Sequence, residues 1–411
     1  MRKHRPDYWI FLLALGLIVV GTIVIFAVGP RVAETKGISS NYYILHHLPM
    51  IFAALFLMVM MACDWQELVA KFTRKFFKRT VSIPKNEVIL AWAAPKLLVI
   101  ACVLCAAIAI LGAMGVEQLV DCNLGACRSF KLFGFGFQAV EMLKFAIMLY
   151  VANIISKRHK EGTYGKAELW VPVIAIVIFT LAFVCVGQKD LGSTVVIIFM
   201  LGLMLFASGI KWKAIIISFI VLALVAVPLI VLFPHRIKRL LGFGENYHVY
   251  NSVVGIGTGG VFGVGLGNSV QAAGYLPETL TDSIFSVICE SWGLLGGTLV
   301  MLLFVLLLSR ILRVARHTED MAMRMMVVAV FAWILAHVIM NTCGMIGLIP
   351  MKGITLSFLS YGGTSLVFTG AAVGIVLYIS GWTRREEVIN EDSSSRRGEW
   401  RPRNAGDRRR S

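Results

Sequence analysis

The feature that most constrains this chain is a series of apolar stretches, each about as long as a helix that crosses a lipid bilayer. Such a helix needs roughly 20 apolar residues. The 411-residue sequence contains about ten stretches of this kind, at residues 9–28, 43–62, 89–114, 139–156, 169–187, 191–209, 214–233, 284–308, 325–346 and 365–382. Because an open sheet cannot satisfy its backbone in lipid, the sequence predicts an all-α polytopic membrane protein with about ten transmembrane helices.

The composition excludes several other classes of protein. Hydrophobic residues make up 58% of the chain and charged residues 15%, whereas soluble domains have about 45–50% apolar and about 25% charged residues. A water-soluble domain, a disordered protein and a disulfide scaffold are therefore excluded. The net charge of +16 would favour nucleic acid in a soluble chain, but in a membrane protein basic loops face anionic lipid. We expect no nucleic-acid partner.

The basic residues also predict an orientation in the membrane. Most of the 39 lysines and arginines lie at the termini and in the connections that share a side of the membrane with the N-terminus, so the positive-inside rule places both termini in the cytoplasm. We expect a cytoplasmic N-terminus at residues 1–8, a membrane domain at 9–382 and a basic, disordered cytoplasmic tail at 383–411. The seventh and eighth helices are then joined by a long extracytoplasmic segment, residues 234–283.

Ionisable residues within or beside spans indicate function in membrane proteins, and here they gather at the outer ends of the helices. Glu141 and Lys144 share one helix face, which suits either a self-neutralising pair or contact with a substrate. Arg128 lies just before this helix and can neutralise Glu141 or bind a phosphate. Asp190 lies in the break between the fifth and sixth spans, where capping of the next helix is the preferred interpretation.

Glu278 and Asp282 are the most informative acidic pair, because they lie four residues apart at the outer end of the eighth span. Two carboxylates in this arrangement suit a divalent cation such as Mg²⁺ or Mn²⁺, or one of them can act as a general base. Capping of the following helix is the competing interpretation of Asp282.

Further candidates lie in the other outer segments. Arg236 and Arg239 share one helical turn, which suits an interfacial helix or a phosphate. Lys352 is a point charge suited to a phosphate, and Ser360 and Tyr361 add hydroxyls before the last span. We expect all five to lie on the outer side.

Two of the eight cysteines share a short outer loop, DCNLGAC, at Cys122 and Cys127. A disulfide is expected there because disulfides persist outside the cytoplasm. A zinc site would need two further ligands that the loop lacks. The remaining cysteines lie in or beside spans and are interpreted as small hydrophobic residues.

Three stretches of the chain resemble motifs of one known family. They read VGQKDLGST at residues 186–194, NSVQAAGYLPETLTDSIF at 268–285 and GLIPMKGITLSFLSYGGTS at 347–365. Together they resemble the SEDS family, the shape, elongation, division and sporulation proteins, over nearly all of residues 9–382. The stretch GLGNSVQ at 265–271 and Lys352 are more similar to the division members than to the elongation members.

This resemblance implies a ten-span peptidoglycan glycosyltransferase of the bacterial cytoplasmic membrane. Such a protein polymerises lipid II, a disaccharide-pentapeptide on undecaprenyl diphosphate, at the outer leaflet and releases the lipid diphosphate. It normally works with a class B penicillin-binding protein, and a division member is expected at the septum with other divisome proteins.

The resemblance also implies roles for residues of the site. The catalytic aspartate of the family falls on Asp282, its companion glutamate on Glu278 and its motif lysine on Lys352. Asp282 would take the proton of an acceptor hydroxyl as that hydroxyl attacks the anomeric carbon, while basic residues neutralise the departing diphosphate. The other motif positions are Arg128, Gln138, Glu141, Lys144, Gln188, Asp190 and Gly192, and further candidate basic residues are Arg236 and Arg239.

Several positions depart from the family pattern. Ser129 replaces a tryptophan, Lys189 replaces a proline, and Leu280 stands where a histidine is common. Residues 139–140 read Ala-Val instead of Pro-Ser, and Ser357 replaces a proline. None of these changes removes a carboxylate or Lys352, so they affect the expected fine contacts.

Two other functions compete with the enzyme. A lipid II flippase would need polar residues through the full depth of the bundle and alternating-access repeats, whereas the unusual charges here gather at the outer face. A non-enzymatic divisome scaffold would not need Asp282. Both alternatives are therefore disfavoured by the sequence.

Overall fold

The computed structural model describes residues 4–77, 84–116, 118–123, 126–132, 135–163, 167–210, 247–349 and 353–383. Within these ranges the chain is a bundle of helices with one small sheet. The helices are α1 Tyr8–Thr35, α2 Tyr42–Ala62, α3 Trp65–Phe77, α4 Asn86–Ala113, α5 Ala139–Lys160, α6 Ala167–Phe179, α7 Leu191–Ala207, α8 Tyr247–Thr258, α9 Ile284–His317, α10 Met321–Met345 and α11 Gly363–Ser380. The α6 helix continues as a π-helix, Thr180–Gly187.

The predicted spans agree with these helices. Across the described ranges, eight helices are long and apolar enough to cross a membrane by length and composition, and α7 is a shorter apolar helix. The predicted span at 214–233 lies outside the described residues. Some helices extend past the predicted spans, as α1 does to Thr35 and α9 does to His317. The reason is that hydropathy marks the lipid core, whereas helical hydrogen bonding continues beyond it.

Three helices form the centre of the bundle. About three-quarters of the apolar window is buried in α5, α10 and α11, but only 17% in α2. Trp333 of α10 is fully buried. In contrast, Phe52 and Phe56 of α2 are exposed, as expected for side chains that face lipid. The candidate residues on α5, Glu141 and Lys144, therefore lie inside protein.

The connection between α4 and α5 contains a sheet that the sequence did not predict. Strands β1 Val120–Asn123, β2 Ala126–Leu132 and β3 Phe135–Phe137 pair antiparallel in the order β1-β2-β3. Cys122 pairs with Cys127 in the register and the two form a disulfide. The sheet packs on the end of α4, where Cys127 lies against Gly112.

The predicted long loop before α9 is partly helical. Its described portion contains α8 and a π-helical turn, Gln271–Tyr275. Residues 259–265 pack backbone to backbone on α9, as Val264 N donates to Glu290 O and Leu294 N donates to Gly260 O. Gly293 interrupts α9 at this contact with a φ of +66°. The segment therefore packs as a layer on the first part of α9.

Candidate active site

Four connections converge at one end of the bundle. The β3 strand meets the last loop, because Thr364 Oγ1 donates to Gly136 O at 2.8 Å. The same loop meets the turn before α9, since Tyr361 N donates to Leu280 O at 2.8 Å. Arg128 of β2 reaches the break between α6 and α7, where its Nη2 donates to Lys189 O at 3.3 Å. Residues far apart in sequence thus surround one region.

The turn that carries Asp282 is built around one carbonyl group. Glu278 O accepts from Thr281 N at 3.2 Å and from Ser283 N at 3.1 Å, with Glu278 at a φ of +46°. The α9 helix then begins at Ile284, with Ser283 in the cap position. Ser283 therefore occupies the cap position, and the capping alternative for Asp282 is not what the structure has.

Three elements hold this turn in place. Asn341 of α10 donates through Nδ2 to Asp282 O at 2.6 Å, and the last loop holds Leu280 through the bond described above. From α8, His248 Nε2 lies 2.6 Å from Ser283 Oγ, which in turn donates to Pro277 O. The backbone on both sides of Asp282 is therefore fixed by tertiary contacts.

The charges around Asp282 prepare it to exchange a proton near neutral pH. Burial and the negative charges of Glu278 and Asp190 raise the pKa of Asp282, and the Arg128 guanidinium partly opposes this rise. The resulting pKa is about 7. A Cβ placed on Gly353 would lie 3.0 Å from Asp282 Oδ2 and 3.3 Å from Arg128 Nη1. The two side chains therefore flank the same glycine. A carboxyl of this kind is suited to general-base catalysis.

The His248 ring lies beside the same carboxylates. Burial lowers the pKa of His248 to about 4, although the Glu278 charge and a backbone bond to Pro277 favour protonation. The ring is thus neutral at physiological pH. It adds a polar contact to the turn without adding a positive charge.

Asp190 has the capping role that the sequence predicted. Its Oδ1 accepts from Ser193 N at 3.0 Å and its Oδ2 accepts from Ser193 Oγ at 2.8 Å. The preceding Lys189 has a φ of +56°, which turns its carbonyl toward Arg128. The tight break between α6 and α7 therefore positions Arg128 beside Asp282.

Glu141 and Lys144 form an ion pair inside the bundle. Lys144 Nζ donates to Glu141 Oε1 at 2.7 Å, and both side chains are buried. Lys144 Nζ also lies 3.0 Å from His337 Nε2 and 4.9 Å from the centre of the Trp333 ring. This arrangement matches the self-neutralising pair, one of the two predicted alternatives. Arg128 bonds to Lys189 O rather than to this pair.

Ser360 and Tyr361 lie in the last loop beside the Asp282 turn. Ser360 is buried, and its Oγ accepts from Leu356 N at 2.8 Å. This bond stabilises the turn between the two residues. The Tyr361 ring meets the Tyr43 ring edge-on, with centroids 5.2 Å apart. Burial and the neighbouring tyrosines raise the pKa of Tyr361 to about 12, so its hydroxyl keeps its proton and can donate.

Some candidates cannot be placed. Arg236, Arg239 and Lys352 lie outside the described residues. Over the part of the chain that is described, no group of three or more His, Cys, Asp or Glu residues is arranged to hold a metal ion. Glu278 and Asp282 thus form at most a two-carboxylate set, and Thr281 Oγ1 already donates to Glu278 Oε2 at 2.9 Å. We derive no chemical step through a metal.

Sequence reasoning missed three residues of the site and one buried residue that holds the preceding segment. His248 and Asn341 gave no local signal, because each acts across a tertiary contact. Gly353 matters only through its two neighbours in space. Glu290 is buried on α9 and accepts from Ser269 Oγ and from the Val270 and Gln271 amides. Only Glu290, an acidic residue within a predicted span, had a signal in the sequence.

Comparisons with known proteins give a consistent result. Residues 7–385 match the family model FTSW_RODA_SPOVE, described as "Cell cycle protein". The chain is 30% identical to stage V sporulation protein E of Bacillus subtilis (strain 168) over 396 residues, which cover 93% of this chain and 99% of the relative. It is 34% identical to the probable peptidoglycan glycosyltransferase FtsW of Coxiella burnetii over 267 residues, 62% of this chain and 71% of that protein.

Two solved structures share the fold. One is described as "Structural coordination of polymerization and crosslinking by a peptidoglycan synthase complex", and a chain of it matches with a TM-score of 0.68 at 20% identity, covering 91% of this chain and 97% of that one. The other is the rod shape determining protein RodA of Thermus thermophilus, with a TM-score of 0.60 at 20% identity, covering 93% and 98%.

Proposed function

The chain belongs to the FTSW_RODA_SPOVE family of cell cycle proteins, and from this premise we propose that it is a peptidoglycan glycosyltransferase. It polymerises the disaccharide units of lipid II into glycan strands at the outer face of the bacterial cytoplasmic membrane. The relatives named FtsW carry this activity in their names. Its role in cell division follows from the greater similarity of residues 265–271 to the division members.

The single observation that carries the mechanism is the placement of Asp282. Its carboxyl lies in the turn just before α9, its pKa is raised to about 7, and Arg128 lies across Gly353 from it. Asp282 removes the proton of the acceptor 4-hydroxyl as the oxygen attacks the anomeric carbon of the donor. The bond from that carbon to the diphosphate breaks with inversion, and undecaprenyl diphosphate leaves with the bonding electrons.

Positive charge must neutralise this leaving group, because negative charge develops on the diphosphate oxygens. Arg128 is the described residue best placed for this role, since it lies beside Asp282 and can bind phosphate as a planar fork. Lys352, Arg236 and Arg239 are further candidates by sequence. Lys144 is a weaker candidate for direct contact, because its ammonium is engaged within the bundle.

The experiment that tests this function is polymerisation of lipid II by the purified full-length chain, followed on a gel. D282N should reduce polymer formation by about 10²–10⁴-fold, which is the usual contribution of a general base. D121N is the matched control, because Asp121 lies in β1 and takes no part in the proposed chemistry. An active D282N variant would exclude Asp282 as the base.

The orientation places this site outside the cell and both termini in the cytoplasm. His4 N donates to Gly381 O at 2.9 Å, so the two ends of the membrane domain, residues 9–382, lie on one side. The hairpin with the Cys122–Cys127 disulfide follows the C-terminal end of α4, whereas α3 precedes its N-terminal end. Because disulfides persist outside the cytoplasm, this arrangement supports an extracytoplasmic position for the hairpin. Residues 1–8 and 383–411 form the cytoplasmic ends.

The partner is a class B penicillin-binding protein that cross-links the new strand, together with other divisome proteins at the septum. A structural neighbour comes from a complex whose description joins polymerisation to crosslinking. Adding the cognate transpeptidase to the polymerisation assay should increase the rate or the length of the product. An unchanged product distribution would argue against this partner.

A further inference from the structure

The buried pair on α5 engages the whole of its ammonium group. Lys144 Nζ donates to Glu141 Oε1, lies 3.0 Å from His337 Nε2, and faces the Trp333 ring at 4.9 Å. All four residues are at most 2% exposed. An ammonium has three protons to donate, and here the Lys144 ammonium faces three neighbours: the Glu141 carboxylate, the His337 ring nitrogen and the Trp333 ring. Lys144 therefore binds α10 rather than an external ligand in this conformation.

The hydrogen bonds identify the protonation of His337. Trp333 Nε1 donates to His337 Nε2 at 3.2 Å, and an indole N–H can only donate. Lys144 donates to the same nitrogen, so Nε2 carries a lone pair and the ring proton is on Nδ1. His337 is thus a neutral acceptor whose Nε2 lone pair is shared by the two donors. Trp333 lies on α10 itself, so the contact with Lys144 is the one that joins α10 to α5.

One turn further along α10, Asn341 reaches the site. Positions 337 and 341 are four residues apart and share one helix face. Asn341 Nδ2 donates to Asp282 O at 2.6 Å and to Ile354 O at 2.7 Å. One side chain thus holds the backbone of the Asp282 turn and that of the loop after Gly353. Any shift of this face of α10 moves both.

From these contacts we propose that α10 positions Asp282, with His337 seating the helix on the buried Glu141–Lys144 pair and Asn341 holding the Asp282 carbonyl. His337 and Asn341 are positioning residues, since neither touches the reacting atoms. The inference rests on the proposed function, because Asp282 needs a position only if it removes a proton. A displacement of about 1 Å in such a site can cost about 10²-fold in rate.

The activity test compares three α10 variants of the full-length protein on lipid II. H337L removes the nitrogen that accepts from Lys144 and from the Trp333 N–H, so kcat should fall at least about tenfold while KM stays within about twofold. H337Q restores an acceptor oxygen, so it should recover most of kcat. I339A is the matched control, because Ile339 lies on the same helix but is exposed, and it should behave as wild type.

Coupling is tested by combining H337L with K144M. Because both residues act in one network, the double variant should lose little more than the more damaging single variant. Losses in kcat that multiply, or an H337Q variant as inactive as H337L, would overturn the proposal.

Hydrogen exchange separates this inference from the proposed function. In H337L the amides of residues 276–284 and 353–361 should exchange at least about tenfold faster than in wild type or I339A, whether or not polymer is formed. Unchanged exchange in these two segments would exclude the positioning role even if the wild type polymerises lipid II. A wild-type protein that makes no polymer, with faster exchange in H337L, would contradict the function and leave the positioning contact intact.

Discussion

Among single residues, Asp282 shows how neighbouring charges control one carboxyl. Its ordinary pKa lies well below neutral, but burial and the Glu278 and Asp190 charges raise it to about 7, while Arg128 opposes them. The base form of Asp282 is the ionised one. Polymerisation should therefore be lost as the pH falls below about 7 and should rise as the pH passes through that value.

Removal of the Glu278 charge should shift the pH at which polymerisation activity rises, which is the acidic limb of the pH–rate profile. In E278Q the repulsion that disfavours ionised Asp282 disappears, so the pKa of Asp282 falls. The acidic limb of the pH–kcat profile should therefore shift to lower pH. The measurement is the rate of lipid II polymerisation between about pH 5 and pH 9. E161Q is the control, because Glu161 lies in the turn after α5 and should leave the profile unchanged. A shift of the E278Q limb to higher pH would contradict the charge arrangement.

At Gly353 there is little room for a side chain between Asp282 and Arg128. An alanine there would place its Cβ 3.0 Å from Asp282 Oδ2 and 3.3 Å from Arg128 Nη1. G353A should therefore lower kcat at least about tenfold as the site is pushed apart. G37A is the matched control, because Gly37 has a similar φ of +65° but no atom within 4 Å of its Cβ position. If G353A and G37A lose activity equally, backbone strain rather than the site explains the effect.

Among the elements, the interruption of α9 determines how the preceding segment packs. Gly293 has a φ of +66°, and a Cβ on it would collide with the Val261 carbonyl. Residues 259–265 can therefore lie on α9 only because this position has no side chain. The backbone contact supports the segment that leads into the Asp282 turn.

Substitution of this glycine should destabilise the protein. G293A adds the strain of the left-handed backbone, about 1–3 kcal/mol, to the collision with Val261. The melting temperature in detergent should fall by several degrees. G257A is the control, because Gly257 lies in α8 with nothing within 4 Å of its Cβ position, and alanine there should be neutral or stabilising. A stable G293A protein would show that the contact with residues 259–265 does not depend on the glycine.

At the scale of the whole molecule, the packing brings the described residues around Asp282 together at one end of an apolar bundle. The described candidate residues around Asp282 come from β2, the break after α6, and the turn and loop that precede α9 and α11. The opposite end carries the α5–α6 connection, where Arg158 pairs with Glu161 at 2.8 Å. The orientation therefore determines on which side of the membrane the chemistry occurs.

Cysteine labelling in intact cells measures this orientation. The six free cysteines are first replaced, and single cysteines are introduced as Y275C, in the exposed π-helical turn before α9, or E161C, after α5. A membrane-impermeant maleimide should label Y275C in intact cells and E161C only after lysis. The reverse pattern would mean that the site faces the cytoplasm.

The sequence alone determined the class, the described spans and the order of the motifs, because hydropathy and motif spacing are local properties of the chain. It also indicated the capping role of Asp190 and the acidic pair before α9. It did not reveal the sheet in the α4–α5 connection or the α8 helix, because short polar or glycine-rich segments form such elements only against neighbours.

Only the tertiary structure decided which residues act together. It placed Arg128 across Gly353 from Asp282, and it set Lys144 against His337 instead of an open site. It also brought His248 and Asn341 to the Asp282 turn. These contacts join residues as far apart in sequence as Arg128 and Gly353. Burial and charge act on a residue through space and not along the chain. A single sequence carries no record of such distances.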